Sequence, residues 1–375
     1  MNLGGVEKSW IELISQVNPK EYNIHLGLLN MKGDLLKDVP SWVKVHHINC
    51  YWKYWNIINR PPQENLLKLF KQRAYIQWAI FLFIFIWCKL THSRRLLYHY
   101  ILLNAELPKE TYDLAIAYAG PGAHIDYVIE IIKAKKKCCW IHFDISKVGL
   151  EEKMVKTLYA TYTKIFCVSE QAKEIFDSQF PELSTKTEVY FNTIRRERIQ
   201  AQSKEYKAYS DNFCGIRILT IGRLSKEKGQ LLALDALNIL LQHNVKAKWY
   251  FVGEGNTLTK CQEKVTDLGL EHSVEFCGAK TNPYPYIKGC DVYVQPSLHE
   301  GYCITLAEAR VFSQPIVATD FTGAKEQLTN RANAYITKIN AESLAKGILM
   351  ASNSPRITNE DYILQSDINQ ILTLC

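Results

Sequence analysis

The chain has 375 residues, 47% of them hydrophobic, and a net charge of +7; it is too long for one average core and fits two globular domains. The modest positive charge does not by itself imply nucleic acid. Eleven cysteines lie scattered, apart from the adjacent Cys138 and Cys139, with no Cys-x-x-Cys pair and no secretory signal, which argues for reduced cytoplasmic thiols and against both a disulfide framework and a cysteine zinc site.

The first residues open on a glycine turn, Gly4-Gly5, followed by a helical pattern of Val6, Trp10, Leu13, Ile14 and Val17. An α/β domain places a buried strand before such a turn. None stands there, so the expectation is a first sheet lacking one strand, or a truncated or mis-assigned start. Runs at 22–29, 43–48, 112–118, 137–142, 164–168 and 188–191 read as strands. Several are apolar throughout, as in a parallel sheet covered on both faces.

One stretch departs from this alternation. Residues 79–88 are apolar all round, and with 74–78 they stay short of a membrane span of roughly twenty residues. Between positions 44 and 109 stand ten cations (Lys44, Lys53, Arg60, Lys68, Lys71, Arg73, Lys89, Arg94, Arg95, Lys109) against the two acids Glu64 and Glu106, with Trp52, Trp55, Trp78 and Trp87 interspersed. The stretch is either a core helix of the first domain or a helix lodged in an anionic membrane surface, and the cations favour the second.

Residues 195–210 are polar, with little to bury, and read as an interdomain linker. A second series follows: strands at 217–221, 247–252, 273–276, 291–295 and 315–318, with a helix at 230–241. The predicted fold is therefore α/β, two doubly wound Rossmann-like domains facing a cleft. Their expected bounds are 1–194, a linker at 195–214, and 215–358, with a C-terminal helix in 359–375.

Two motifs of the second series carry chemistry. In Ile218-Leu-Thr-Ile-Gly-Arg-Leu-Ser-Lys-Glu-Lys-Gly229 a strand runs into a glycine turn, then cations, then a helix. Arg223 and Lys228 are placed to neutralise a diphosphate, unless they are ordinary solvated cations. The Gly-Lys-Ser/Thr ending of a Walker loop is missing. In Ser297-Leu-His-Glu-Gly-Tyr-Cys-Ile-Thr-Leu-Ala-Glu308 a loop enters a helix whose free N–H groups suit a phosphate. Glu300 and Glu308 are either helix-capping acids or grips for the two ends of a sugar nucleotide. A glycoside hydrolase sets its two carboxylates on opposite faces of the bond it cleaves, whereas these share one local segment.

Gly-Arg-Leu-x-Lys-x-Lys-Gly followed by Glu-Gly-x-x-x-x-Leu-x-Glu-Ala resembles the retaining GT-B glycosyltransferases of family 4, the group 1 glycosyl transferases. The similarity runs over about 2–330 and includes Gly4-Gly5-Val6-Glu7, Trp140-Ile-His-Phe-Asp144, Val168-Ser169-Glu170 and Phe191-Asn192. The resemblance implies an acceptor-binding first domain and a second domain that binds a nucleotide sugar, a UDP-sugar by family frequency. It assigns Arg223 and Lys228 to the donor diphosphate, Glu308 to the ribose and Glu300 to the donor sugar. The amides of Gly301, Tyr302, Cys303, Ile304 and Thr305 reach phosphate or sugar, Gly5 lets the backbone approach the donor, and His142 lines the sugar and acceptor site, with Asp144 a candidate to orient its ring. No Asp-x-Asp motif occurs, so no metal and no other cofactor is expected. The basic hydrophobic segment suggests as acceptor a glycan or polyprenyl-linked intermediate of a bacterial capsule or cell-envelope pathway and, with the reduced thiols, a cytoplasmic location, peripheral on the inner membrane face. A nucleotide-sugar epimerase, a catalytically silent binding subunit and a glycoside hydrolase stand as alternatives. Tyr302-Cys303 departs from the usual Phe-Gly or Phe-Pro.

Overall fold

The structure, a computed structural model, describes residues 4–48, 61–91, 95–102, 110–120, 132–147, 152–357 and 366–375. Its strands form three wholly parallel sheets. Strands β1 (His25–Leu28) and β2 (Lys44–His47) pair with each other alone. Four more follow in simple order: β3 (Tyr112–Ala117), β4 (Ala134–Ile141), β5 (Lys164–Cys167) and β6 (Thr187–Val189). The second half holds β7 (Ile216–Ile221), β8 (Ala247–Val252), β9 (Val274–Gly278), β10 (Val292–Gln295), β11 (Ile316–Thr319) and β12 (Ala334–Thr337). Their order in the sheet is β12-β11-β10-β7-β8-β9.

The expected strands fall where their apolar runs stand, and β12 is one the sequence did not announce: its short Ala-Tyr-Ile-Thr run is only half-buried. β10 and β11 are buried at every position, which is why they read as unbroken apolar runs. Chain order in the second sheet reverses between β7 and β10, so the loops after these two strands splay apart at their C-terminal ends and open a crevice there. That crevice faces the first half, where β4 delivers Trp140 and His142.

Trp140, Phe166 and Tyr190 of the first half share one buried cluster with Tyr302 and Leu306 of the second. The Trp140 and Phe166 rings lie 4.5 Å apart and Trp140 and Tyr190 5.5 Å; burying each contributes roughly 2–3 kcal/mol. The last turn of helix, Asn369–Leu372, buries Ile371 in the same cluster, and Ser366 Oγ accepts a hydrogen bond from Phe191 N–H at 2.9 Å.

Three expectations are adjusted. The first sheet, expected to lack one strand, stands as two separate ladders, with none joining β1 to β3 among the described residues. The stretch read as a polar linker contains a helix, Arg196–Gln202, because Ile199 is buried while Arg195 and Arg198 pair with Glu12 at 2.8 and 2.6 Å. The apolar stretch is the helix Tyr75–Thr91, but it is not a core helix: it buries only Phe81 and Ile84, while Ile76 and Leu90 are 79% and 74% exposed. No helix among the described residues is long and apolar enough to cross a membrane. Trp52, Trp55, Lys53, Arg60, Arg94, Glu106 and Lys109 lie outside the described residues.

Candidate active site

The loops after β7 and β10 are built against each other. Gly229 has φ +71°, and a Cβ there would sit 1.9 Å from the Pro296 carbonyl oxygen, so only glycine allows this approach. Lys228, just before it, is thereby carried to Glu300, and the two pair at 2.6 Å. Burial works against the Lys228 charge, but Glu300 outweighs it and holds the ammonium above the ordinary lysine value. A buried relay fixes the carboxylate. Tyr293 Oη donates to Gln295 Oε1 at 2.7 Å, Gln295 Nε2 donates to Ser297 Oγ at 2.9 Å, and Ser297 Oγ donates to Glu300 Oε1 at 2.7 Å.

Glu308 sits in the second turn of the helix Ile304–Ala309 and is buried. Its Oε1 accepts from Tyr284 Oη at 2.7 Å and pairs with Lys8 at 3.4 Å. Its Oε2 is buried and has no hydrogen-bond partner among the described residues. Burial first, then the Glu308 charge, push the Tyr284 phenol well above its usual range. Glu308 opens on a cavity of ≈ 250 Å³ between the two halves, lined also by Lys8, Glu12, Arg195, Arg198 and Tyr284.

His142 follows β4 and is 6% exposed. Its ring stands edge-on to Tyr118 at 4.9 Å, and Nε2 is buried without a partner among the described residues. Burial lowers its pKa to about 4 despite a hydrogen bond to the Tyr118 backbone, so the ring is neutral near pH 7. Asp144 does not orient it. Its Oδ1 accepts from Ser146 N–H at 2.9 Å and its Oδ2 from Thr322 Oγ1 at 2.9 Å, across to the other half. The His142 carbonyl lies against Gly301, where a Cβ would meet it at 1.8 Å.

The remaining expected residues divide. Gly5, in the first turn of helix Gly5–Ile14, faces Ile304, whose Cδ1 would lie 3.4 Å from a Cβ there. Thr305 Oγ1 donates to Gln295 Oε1 at 3.3 Å. Tyr302 is buried 6.2 Å from the Phe191 ring, and Cys303 caps the helix with φ +63°, its thiol pushed up to about 12 by burial. Ile304 and Thr305 precede the first helical hydrogen bond, Leu306 N–H to the Cys303 carbonyl. Arg223 is exposed at the start of its loop, with its carbonyl held by Gln230 Nε2 at 2.9 Å. Among the described residues it makes no ion pair with Glu300 or Glu308. Sequence reasoning missed Lys8, Tyr284, Gln295 and Ser297. Only Gln295 and Ser297 left a trace, as polar residues ending an apolar strand.

Parallel sheets in each half, with the crevice of the second turned toward the strand ends of the first, give this chain the GT-B glycosyltransferase fold. Residues 211–365 match the family model of the glycosyl transferases of group 1. An uncharacterized glycosyltransferase of Methanocaldococcus jannaschii is 27% identical over 227 residues, covering 57% of this chain and 55% of that protein. The N-acetylgalactosamine-N,N'-diacetylbacillosaminyl-diphospho-undecaprenol 4-alpha-N-acetylgalactosaminyltransferase of Campylobacter jejuni is 28% identical over 197 residues, 52% of each. The chain thus spans about half the length of these curated relatives. Anabaena HepE, solved in complex with UDP and glucose, superposes with a TM-score of 0.60 at 17% identity, over 93% of this chain and 88% of that one; this likeness concerns the fold.

Proposed function

We propose that the chain transfers a hexosyl residue, with retention and without a metal ion, from a UDP-sugar to a glycan or polyprenyl-linked acceptor in bacterial capsule or envelope polysaccharide synthesis. The observation that carries this reading is the buried Oε2 of Glu308, unpartnered among the described residues, on a residue that lines the cavity between the halves and stands in the helix after the loop that carries Glu300, the partner of Lys228. A buried carboxylate oxygen is costly to leave without a donor, and two vicinal ribose hydroxyls are donors. Lys228 meets the diphosphate, with the amides of Ile304 and Thr305 beside it; Arg223, exposed, joins through its long side chain. The undecaprenol-linked acceptor of the Campylobacter relative supports the acceptor class.

The acceptor oxygen attacks the anomeric carbon as its bond to the phosphate oxygen breaks, and the departing phosphate takes the acceptor's proton. Negative charge grows on that phosphate, and Lys228 stabilises it in a site closed to water. Glu300, released from Lys228, accepts from sugar hydroxyls. Neutral His142 offers Nε2 to a sugar hydroxyl.

A panel of UDP-sugars with a polyprenyl-diphosphate glycan acceptor, read by product mass, tests the reading. Glu308→Ala and Lys228→Ala are each expected to lower kcat/KM about 100-fold or more while the circular dichroism spectrum stays unchanged, the loss of a charge-assisted contact being worth about 2–3 kcal/mol. Full activity in either variant overturns the site. Nucleotide-sugar binding without turnover across the panel would point instead to a binding subunit.

A further inference from the structure

A second group of chemistry-bearing side chains lies at the other end of the first half. His25 opens β1, His46 stands on β2, Tyr112 opens β3, and Glu110 is two residues earlier. His25 Nδ1 lies 2.8 Å from His46 Nε2, 3.2 Å from Tyr112 Oη and 3.5 Å from Glu110 Oε2. An imidazole nitrogen has one in-plane site, holding either a proton or a lone pair, so it serves one of these three neighbours at a time. The His25 and His46 ring planes are within 12° of each other with centroids 4.9 Å apart. With the nitrogens only 2.8 Å apart, one ring donates its N–H to the other's lone pair, and loss of that single proton leaves two lone pairs converging on one point.

We propose that His25, His46 and Glu110 form a binding site for a divalent cation of the zinc class, which fastens the β1–β2 pair to the sheet that begins with β3. The three ligand atoms lie within 4.8 Å of one another. Metal–ligand bonds of about 2.0–2.1 Å in a tetrahedral site set ligand atoms roughly 3.3 Å apart, and the 2.8 and 3.5 Å separations here lie on either side of that. Two imidazoles and one carboxylate suit zinc and its neighbours better than magnesium or calcium, which prefer oxygen throughout. Tyr112 Oη donates to Glu110 Oε2 at 3.0 Å, the kind of outer contact that fixes a ligating carboxylate.

The position gives the ion a structural task. The strands β3 to β6 are parallel, so Tyr112, which opens β3, lies at the edge opposite the end of β4 that leads into His142, and His25, 3.2 Å from Tyr112 Oη, lies there with it. No ladder hydrogen bonds join β1 to β3 among the described residues. The cluster draws ligands from both sides of that interruption. It takes no part in the sugar transfer proposed above, so either proposal can fail alone.

The test uses the full chain, freed of metal with a chelator and titrated with zinc chloride by calorimetry, and with cobalt chloride by visible absorption. One zinc per chain is expected, at micromolar affinity or tighter, with a rise in Tm and the absorption bands of tetrahedral cobalt; magnesium is expected to give none of these. His46→Gln and the exposed Glu110→Gln are each expected to weaken zinc binding at least tenfold and to abolish the rise in Tm, with UDP-sugar binding unchanged. Absence of zinc binding in the wild-type chain, or binding of equal strength in both variants, overturns the site.

Discussion

At Glu308 one carboxylate oxygen is held by Tyr284 and Lys8 while the other is buried without a donor among the described residues. An arrangement of that kind costs about 1–3 kcal/mol and is regained only when something enters. His142 carries a similar cost that pH makes measurable. Its folded pKa is about 4 against an ordinary 6.5, so between these values the unfolded chain binds the proton and the folded chain does not. Stability is therefore lost as pH falls from about 6.5 to about 4, by about 3 kcal/mol in all from this group. His142→Asn should remove about 2.5 kcal/mol of the difference in urea-unfolding free energy between pH 7 and pH 4.5. An unaltered difference would show that the ring is not held neutral. The acids and Lys228 were legible in the sequence because their spacing is local to two loops. Lys8 and Tyr284 were not, since they reach Glu308 from 300 and 24 positions away.

Among the elements, the helix Tyr75–Thr91 is the one whose pattern and packing disagree with a soluble core. Ile76, Ile80, Phe83, Trp87 and Leu90 are exposed, and their spacing of three and four puts them along one side of the helix. Arg73 and Lys89 flank that stripe. An apolar stripe with basic neighbours is suited to an anionic bilayer surface. The chain is expected to sediment with vesicles containing phosphatidylglycerol at low salt, and Ile76→Ser with Phe83→Ser to cut the bound fraction several-fold. Equal recovery in the supernatant with anionic and neutral vesicles would refute this. Length and hydrophobicity of this helix could be read from the residues alone, but its exposed side could not, because a segment apolar all round has no face to read. The helix Arg196–Gln202 went unread for the opposite reason: one buried Ile199 among polar neighbours leaves no period.

Over the whole molecule, the two halves are clasped across the cleft. Thr322 binds Asp144 at 2.9 Å, Gly323 N–H donates to Gln171 Oε1 at 2.7 Å, and Gly301 lies against the His142 carbonyl. In the transfer proposed above, such contacts would keep water from the place where charge develops. Gly301→Ala inserts a methyl 1.8 Å from the His142 carbonyl oxygen, and the halves must part to admit it. Small misplacements of reacting groups cost as much as about 100-fold, so kcat should fall by that order, with a larger radius of gyration in small-angle scattering. An unchanged kcat would mean the cleft works without this contact.

The sequence alone determined the parallel α/β architecture, because strands buried on both faces must be apolar along their length, and it located the loops carrying Lys228, Glu300 and Glu308, because glycine turns and helix starts have local signatures. Tertiary structure alone decided what completes the site and what lies outside it. Lys8 and Tyr284 on Glu308, Asp144 on Thr322 instead of His142, and the meeting of His25, His46 and Glu110 all depend on which strand ends are brought side by side, and pairing between distant segments leaves no period in a chain.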